Sequence, residues 1–417
     1  MKKVIIASVI ANGLEWYDYA LYAYMTLIIS KLFFPAGNES AHLLATLGIF
    51  AVGFVARPFG GVFFGWLGDK FGRKTSLVIS IFMMAIPTGC IGLLPTYEMV
   101  GMVAPILLII LRVLQGLSLG GAFSGSITFL VEHAPYNKRG IIGSTTIASL
   151  CAGFLLGSIV AILVKLPLTD LQYETWGWRI PFLLGIPIGF IGLYIREHCE
   201  ESPVYEAAKK DGHLSKSPLC DVFKFELKHV AQSIGVFLSA TMPFYLITYF
   251  ITYSQNTLSL GKTEAMSLNM INMLIMFVVA PFSAMLSDRI GRRKVLGSCA
   301  LLMMAAVVPI FTQLQPGATL MAAGLAQAAF TFIVSLYVGP VPALLVEIFP
   351  TRVRYTGMAI SYNICAAVFG GTTPMVSEWL MHKTGNPYTI ACYVIICSII
   401  SMTALYFYKD RHEEALA

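Results

Sequence analysis

The chain has 417 residues, 57% of them apolar and only 12% charged, with a mean hydropathy of +0.75 and a formal charge of +6. Soluble globular proteins carry about 25% charged residues, so a chain this poor in charge needs lipid, not water, around most of its surface. The basic residues gather in short loops between apolar stretches, which sets membrane topology and does not point to nucleic acid.

The start, Met1-Lys2-Lys3 followed by Val4 to Ala11, imitates a secretory signal. The apolar stretch runs on past Glu15 to about Phe34, so it is expected to stay as an uncleaved first span. A span needs about 20 apolar residues, and twelve stretches qualify. They cover roughly 4–33, 41–66, 76–95, 100–131, 141–166, 179–196, 229–254, 266–287, 295–314, 318–346, 357–382 and 387–408. Loops 67–75, 132–140, 197–228, 288–294 and 347–356 hold most of the Lys and Arg, and the alternate loops nearly none, which places both termini in the cytoplasm. The eight cysteines show no metal-ligand or CxxC spacing and read as small reduced hydrophobes.

Two elements repeat. Asp69-Lys70-Phe71-Gly72-Arg73 recurs as Asp288-Arg289-Ile290-Gly291-Arg292. Glu132, Pro135 and Arg139 recur in the same order, at the same spacing and at nearly the same offset, as Glu347, Pro350 and Arg354. The fold expected is an all-α membrane protein of twelve transmembrane helices in two related halves, 1–196 and 229–417, joined by a polar cytoplasmic linker at 197–228. Two parallel halves place a substrate site between them near the bilayer midplane. The whole chain resembles the major facilitator superfamily, whose signature between the second and third helices is similar to Gly65-Trp66-Leu67-Gly68-Asp69-Lys70-Phe71-Gly72-Arg73-Lys74.

An ionisable group at membrane depth costs at least about 2.5 kcal/mol on insertion scales and marks a candidate site. The first span holds Asn12, Glu15 and Asp18 with Tyr19 and Tyr22, four of them on one helix face, and Arg57 and Arg112 lie in the second and fourth spans. Glu15 and Asp18 are candidate proton carriers, with neither favoured, and Arg57 a candidate for a substrate carboxylate, which its fork holds bidentately. The two acids and two arginines are expected to neutralise one another in pairs. Tyr245, Tyr249 and Tyr253 form a stripe at helical spacing, suited to packing or to facing a cationic head with Trp16, Tyr19 and Tyr22 opposite. Asp69, Arg73, Glu132, Arg139, Asp288, Arg292, Glu347 and Arg354 are expected to latch the cytoplasmic side through ion pairs and helix-end contacts, Glu132 acting with Arg139 and Glu347 with Arg354. Gly68-x-x-x-Gly72-Arg73-Lys74-Thr75 is one residue short of a phosphate loop and follows no strand, so no nucleotide is implied.

Asn12-Gly13-Leu14-Glu15-Trp16-Tyr17-Asp18-Tyr19, Ala56-Arg57-Pro58-Phe59-Gly60-Gly61, Trp176-Gly177-Trp178-Arg179-Ile180-Pro181-Phe182, Glu201-Ser202-Pro203-Val204-Tyr205, Glu347 to Gly357 and Ser361-Tyr362-Asn363 resemble the superfamily's metabolite:proton symporter branch. That branch includes carriers of proline and betaine, α-ketoglutarate, citrate and shikimate. The resemblance implies proton-coupled import of a small charged metabolite, by a monomer in the bacterial inner membrane, with no cofactor. It also implies roles for Glu15, Asp18, Arg57, Arg112 and Arg179. The Arg112-x-x-Gln115 pattern resembles the fourth-helix motif tied to proton coupling. Ala122 stands where the branch usually has Glu, which removes one intramembrane acid and leans the expectation toward organic anions without excluding zwitterions. The long coiled-coil tail of the osmosensing carriers is not found, so activation through it is not expected. An exporter, antiporter or facilitator of the same fold would use the same charges. A membrane-embedded enzyme or receptor has little support, since no Ser–His–Asp order, HExxH or metal-ligand pair is found.

Overall fold

Backbone N–H and C=O groups find no partners in lipid, so long apolar stretches close their hydrogen bonds internally as helices. A computed structural model describes residues 2–34 and 39–416; residues 1 and 417, the outer limits of the two expected halves, lie outside the described residues. The long helices are α1 (Lys2–Phe33), α2 (Glu39–Phe71), α3 (Arg73–Leu93), α4 (Val103–His133), α5 (Arg139–Lys165) and α6 (Arg179–Glu197). The second series is α7 (Leu227–Asn256), α8 (Lys262–Ile290), α9 (Arg292–Thr312), α10 (Leu320–Val338, extended by Val341–Ile348), α11 (Arg354–Cys365, continued through a π turn at Ala366–Gly370 into Thr373–Thr384) and α12 (Tyr388–Tyr406). Among the described residues, nine helices are apolar and long enough to cross a membrane. α1 runs unbroken but carries Asn12, Glu15 and Asp18, and α11 passes through a π turn. Side chains such as Phe59, Ile162, Phe282 and Leu325 point outward, as a lipid-facing surface requires.

The two series pack alike. In the first half α2 lies on α4, α1 on α5 and α3 on α6; in the second, α8 lies on α10, α7 on α11 and α9 on α12. The halves meet along α5 with α8 and α2 with α11.

Three expected loops come out differently. The loop at 67–75 shrinks to Gly72 and the one at 288–294 to Gly291, because the helices continue to their charged ends. These glycines have φ of 110° and 101°, a region that excludes most side chains. The linker carries two short helices, Pro203–Lys210 and Pro218–Phe225. Each starts at a Ser-Pro pair: proline suits the first helical position, and Ser202 Oγ accepts from Tyr205 N at 3.1 Å.

A glycine seam sets the α2–α4 distance. A Cβ on Gly120 would lie 2.0 Å from the backbone oxygen of Arg57 and 2.5 Å from Gly61 N. A Cβ on Gly116 would lie 2.2 Å from Gly53 O. The Gly120→Ala variant is therefore expected to lose about 1–3 kcal/mol of stability, read as a lower melting temperature in detergent, because only backbone can yield.

Candidate functional site

α1 carries its acids into the first half, where α3 and α4 meet it. Asp18 Oδ2 accepts from Arg112 Nη1 at 2.9 Å. Its Oδ1 accepts from Gln115 Nε2 at 2.8 Å and Thr88 Oγ1 at 3.0 Å. The Arg112 guanidinium lies 3.7 Å from the Tyr22 ring centroid. Arg112 and Gln115 reach the same carboxylate because residues three apart share a helix face.

Glu15, one turn away, is buried, and its Oε2 has no hydrogen-bond partner among the described residues. Arg57 Nη2 donates to Tyr362 Oη at 3.0 Å, and its guanidinium lies 5.5 Å from the ring centroids of both Phe54 and Tyr362. Of the two pairs expected from sequence, only Asp18–Arg112 closes within ion-pair distance.

Between the halves lies a small cavity of about 50 Å³, with Trp16, Phe123, Phe237, Phe244, Tyr245 and Tyr362 in its wall. Phe123 stacks on Tyr362 at 4.7 Å, and Trp16 meets Phe244 edge-on at 5.9 Å. The buried Trp16 Nε1 has no partner among the described residues. The wall obeys the internal repeat: the offset that carries Glu132 to Glu347 also carries Phe123 to Val338 and Ile147 to Tyr362, and all four of these line it. The charges do not obey it. The offset from Asp69 to Asp288 carries Arg57 to Met276. The offset from Glu132 to Glu347 carries Arg112 to Gln327, which bonds Asn272 at 3.3 Å and Ser254 at 2.9 Å. The ionic machinery thus belongs to the first half, and a neutral network occupies the matching seat in the second.

Several residues taken as cavity candidates lie elsewhere. Arg179 donates to the carbonyls of Gly92 at 2.9 Å and Leu94 at 2.7 Å, so it caps the last turn of α3. Tyr249 donates to Glu378 Oε2 at 2.5 Å and Tyr253 to Leu314 O at 2.5 Å, while Tyr245 alone of that stripe reaches the wall. Asn12 ties α1 to α5 through Thr146 O at 2.8 Å and Ser149 Oγ at 2.7 Å. Tyr22 sits under Arg112. Tyr19 packs behind Trp16 at 5.5 Å. Spacing places a side chain on a face; it does not choose which neighbour that face meets.

The eight latch candidates form two clusters at the basic end of the bundle. Glu132 binds Arg73 at 3.2 Å and Arg354, from the other half, at 2.8 Å. Asp69 holds Arg73 at 3.0 Å and accepts from the backbone N of Tyr355 and Thr356 at 3.2 and 2.8 Å, capping α11. In the mirror cluster Arg292 binds Asp288 at 2.7 Å and Glu347 at 3.3 Å, with Arg139 3.8 Å from Glu347. Asp288 caps α5, accepting from Gly140 N at 2.7 Å and Ile141 N at 2.9 Å. The sequence pairing of Glu132 with Arg139 and Glu347 with Arg354 is thus exchanged between halves, because the first turns of α5 and α11 cross to the opposite repeat. Each aspartate faces the positive end of a helix from the other half.

Four contributors were not singled out from sequence. Arg196 is fully buried although it ends a span, where a basic residue reads as a topology charge. Tyr362 lay in a motif without an assigned role. Glu201 accepts from Lys74 N at 3.1 Å, and Asp410 accepts from Arg293 N at 2.9 Å, so an acid after the sixth and twelfth helices caps the third helix of each half. The segment after Asp410 also crosses back: Arg139 Nη1 donates to Glu414 O at 2.8 Å.

Residues 3–228 match a family model described as "Sugar (and other) transporter", and residues 232–417 match the Major Facilitator Superfamily model. The chain belongs to the major facilitator superfamily. It is 35% identical over 415 residues to the proline/betaine transporter of Escherichia coli (strain K12), covering 96% of this chain and 82% of that one. It is 34% identical over 430 residues to the glycine betaine/proline/ectoine/pipecolic acid transporter OusA of Dickeya dadantii (strain 3937), covering 100% and 85%. A putative proline/betaine transporter of Staphylococcus haemolyticus (strain JCSC1435) is 36% identical, covering 97% and 86%. Among solved structures, the proton:xylose symporter XylE bound to 6-bromo-6-deoxy-D-glucose superposes with a TM-score of 0.81 at 20% identity, covering 99% of this chain and 97% of that one. A partially occluded inward-open XylE from E. coli gives 0.67, also at 20% identity, covering 99% of each. This likeness shows the shared fold of twelve helices in two halves. The major facilitator members it matches in sequence are transporters, in keeping with a membrane-spanning carrier.

Proposed function

We propose that the chain is a proton-coupled symporter that imports a small zwitterion of the betaine and proline class by alternating access. The observation that carries this is one guanidinium, Arg57, bonded to Tyr362 in the wall of an uncharged cavity that carries six aromatic rings. A di- or tricarboxylate needs several cations. Here Arg112 is engaged by Asp18, and Arg179 caps carbonyls. A zwitterion needs one guanidinium for its carboxylate and ring faces for its cationic head. Trp16 Nε1 supplies a further donor. The names of the sequence relatives support the same class, and the absence of an acid at Ala122 no longer argues for anions, since rings can receive the cation.

Asp18 is the proton carrier in this scheme. Proton binding releases Arg112 from its carboxylate, and neutralising the site lowers the cost of closing apolar walls over it. The two clusters then act as the cytoplasmic latch, closed while the site faces outward. One charge moving down 100 mV supplies about 2.3 kcal/mol, enough for roughly 50-fold accumulation. The division at 197–228 into linker and halves, the cytoplasmic termini, the bacterial inner membrane and the monomer belong to this proposal. They are supported by the loop charges and by the two family matches meeting between residues 228 and 232.

The test is uptake into proteoliposomes under an imposed pH gradient, with radiolabelled glycine betaine, proline, citrate, α-ketoglutarate and shikimate. Glycine betaine or proline should accumulate, and a protonophore should abolish it. Equilibration without accumulation would overturn the coupling; accumulation of citrate alone would overturn the substrate class. Trp16→Ala should raise the KM for glycine betaine about 5- to 30-fold, the worth of a desolvated cation–π contact and its area.

A further inference from the structure

The cavity wall departs from the internal repeat on α11. This helix leaves α-helical geometry at Ala366–Gly370, where Gly371 N donates to Ala366 O at 2.8 Å, five residues back. Its counterpart α5 runs as an unbroken helix from Arg139 to Lys165 and contains no proline. Pro374 supplies the difference. It has no N–H to give to Gly370 O, and its ring pushes that carbonyl away, so the turn before it widens. Turns of this kind recur at functional sites, and this one borders the cavity, since Ala366 lies in the wall.

The same turn presses on α7. A Cβ on Gly370 would lie 2.5 Å from Tyr245 Cε2, 2.8 Å from its Cδ2 and 3.0 Å from Thr241 Cγ2. Both of these α7 residues are buried, and both line the cavity. Thr241 is held to the start of the turn by Cys365, Sγ to Oγ1 at 3.6 Å. Tyr245 meets Phe244 edge-on, with ring centroids 5.5 Å apart. Carbon atoms pack best at about 3.5–4.0 Å, so a side chain at position 370 displaces the Tyr245 ring by about 1 Å. The turn stands on one side of that ring and Phe244 beside it, and the open space next to it is the cavity. With only about 50 Å³ there, such a shift removes room that a ligand needs. The neighbouring Gly371 differs: the nearest atom to a Cβ there is Ala367 O, at 3.4 Å, and no side chain is close.

Resting on the proposed substrate class, we infer that Gly370 is a positioning residue that sets the largest cationic head the cavity accepts, by letting the Tyr245 ring lie back against the π turn of α11. The head of a betaine is a bulky quaternary ammonium, bound by ring faces. A ring seated on a glycine leaves space beside it for the methyl groups of such a head. With a methyl group at position 370 the ring stands further into the cavity, and heads with fewer N-methyl groups are the ones that still fit. The turn therefore acts on the size of the head, while Arg57 holds the carboxylate whatever the head.

The experiment measures KM for radiolabelled glycine betaine in proteoliposomes, and inhibition of that uptake by N,N-dimethylglycine and sarcosine. The proteins are wild type, Gly370→Ala, Gly371→Ala, Tyr245→Leu and the Gly370→Ala/Tyr245→Leu double variant. Gly370→Ala should raise the KM about tenfold. The inhibition constants of the two smaller zwitterions should rise by less than about threefold, so that selectivity moves toward the smaller head. Gly371→Ala should stay within about twofold of wild type, because its Cβ meets no side chain. The double variant should have the KM of Tyr245→Leu alone, since the ring that collides is gone. An equal rise for all three compounds overturns the inference, and so does an unchanged KM in Gly370→Ala. A matching defect in Gly371→Ala assigns the effect to the backbone of the turn and overturns it too. If neither smaller zwitterion inhibits wild type, the double variant decides: a Gly370→Ala defect that persists without the Tyr245 ring sinks the proposed seating. A wild type that carries no glycine betaine fails at the earlier step and removes the substrate class together with the inference built on it.

Discussion

Asp18→Asn should abolish gradient-driven accumulation while leaving exchange of labelled for unlabelled substrate. The carboxylate accepts three hydrogen bonds, from Arg112, Gln115 and Thr88, all from buried groups on α3 and α4. An asparagine keeps the shape and one acceptor oxygen but has no charge to gain or lose. The site then no longer links its conformation to a proton. The accumulation ratio in proteoliposomes should fall from the tens-fold that about 100 mV supports to near unity. Exchange needs no deprotonation and should persist. The variant also leaves the Arg112 charge without its carboxylate, which costs about 3–5 kcal/mol in a buried setting, so its melting temperature should drop as well. Continued accumulation by Asp18→Asn would move the coupling role to Glu15.

Glu132→Ala should open the latch. Glu132 joins Arg73 of its own half to Arg354 of the other, at 3.2 and 2.8 Å, and all three side chains are buried. Removing it takes away the carboxylate that both guanidiniums share and leaves Asp69, 3.0 Å from Arg73, as that arginine's ion-pair partner. A loss of about 3–5 kcal/mol corresponds to a shift of more than 100-fold in the closed-to-open equilibrium. Thr128 on α4 touches Met358 on α11 across the closed seam, Oγ1 to Sδ at 3.5 Å. A cysteine placed at Thr128, in a background lacking the eight native cysteines, reports the opening. Its labelling by an impermeant maleimide from the cytoplasmic side should rise at least about tenfold, and Glu132→Asp should restore part of the protection. Unchanged labelling would mean that the aspartate caps on α5 and α11 hold the end shut by themselves. Glu347→Ala should act more weakly, because its cross-half partner Arg139 stands 3.8 Å away.

The chain order and the repeat made most of the fold legible. Twelve apolar stretches must each satisfy their own backbone, and motifs that recur in the same order at nearly the same offset must occupy equivalent places. The same logic put Asp69 with Asp288 and Glu132 with Glu347 at one end. The partners of these groups were not legible. Glu132 meets Arg354 instead of Arg139 because pairing crosses the pseudo-symmetry axis, and a repeat does not say whether equivalent elements meet within a half or between halves. Arg57, Glu15 and Asp18 were visible as charges in lipid, since insertion penalises any ionisable side chain whatever its neighbours.

By itself the sequence determined the solvent of this protein, its helices, its internal repeat and which residues carry charge at membrane depth, because these follow from local composition and the needs of the backbone. Only the tertiary structure decided which arginine stays by the cavity. Arg179 turned to the carbonyls ending α3, Arg112 closed on Asp18, and Arg196 was drawn into the core beside Ser8. Helical spacing fixes the face on which a side chain stands, whereas its role depends on which helix packs against that face, and that is set by contacts between residues far apart in the chain.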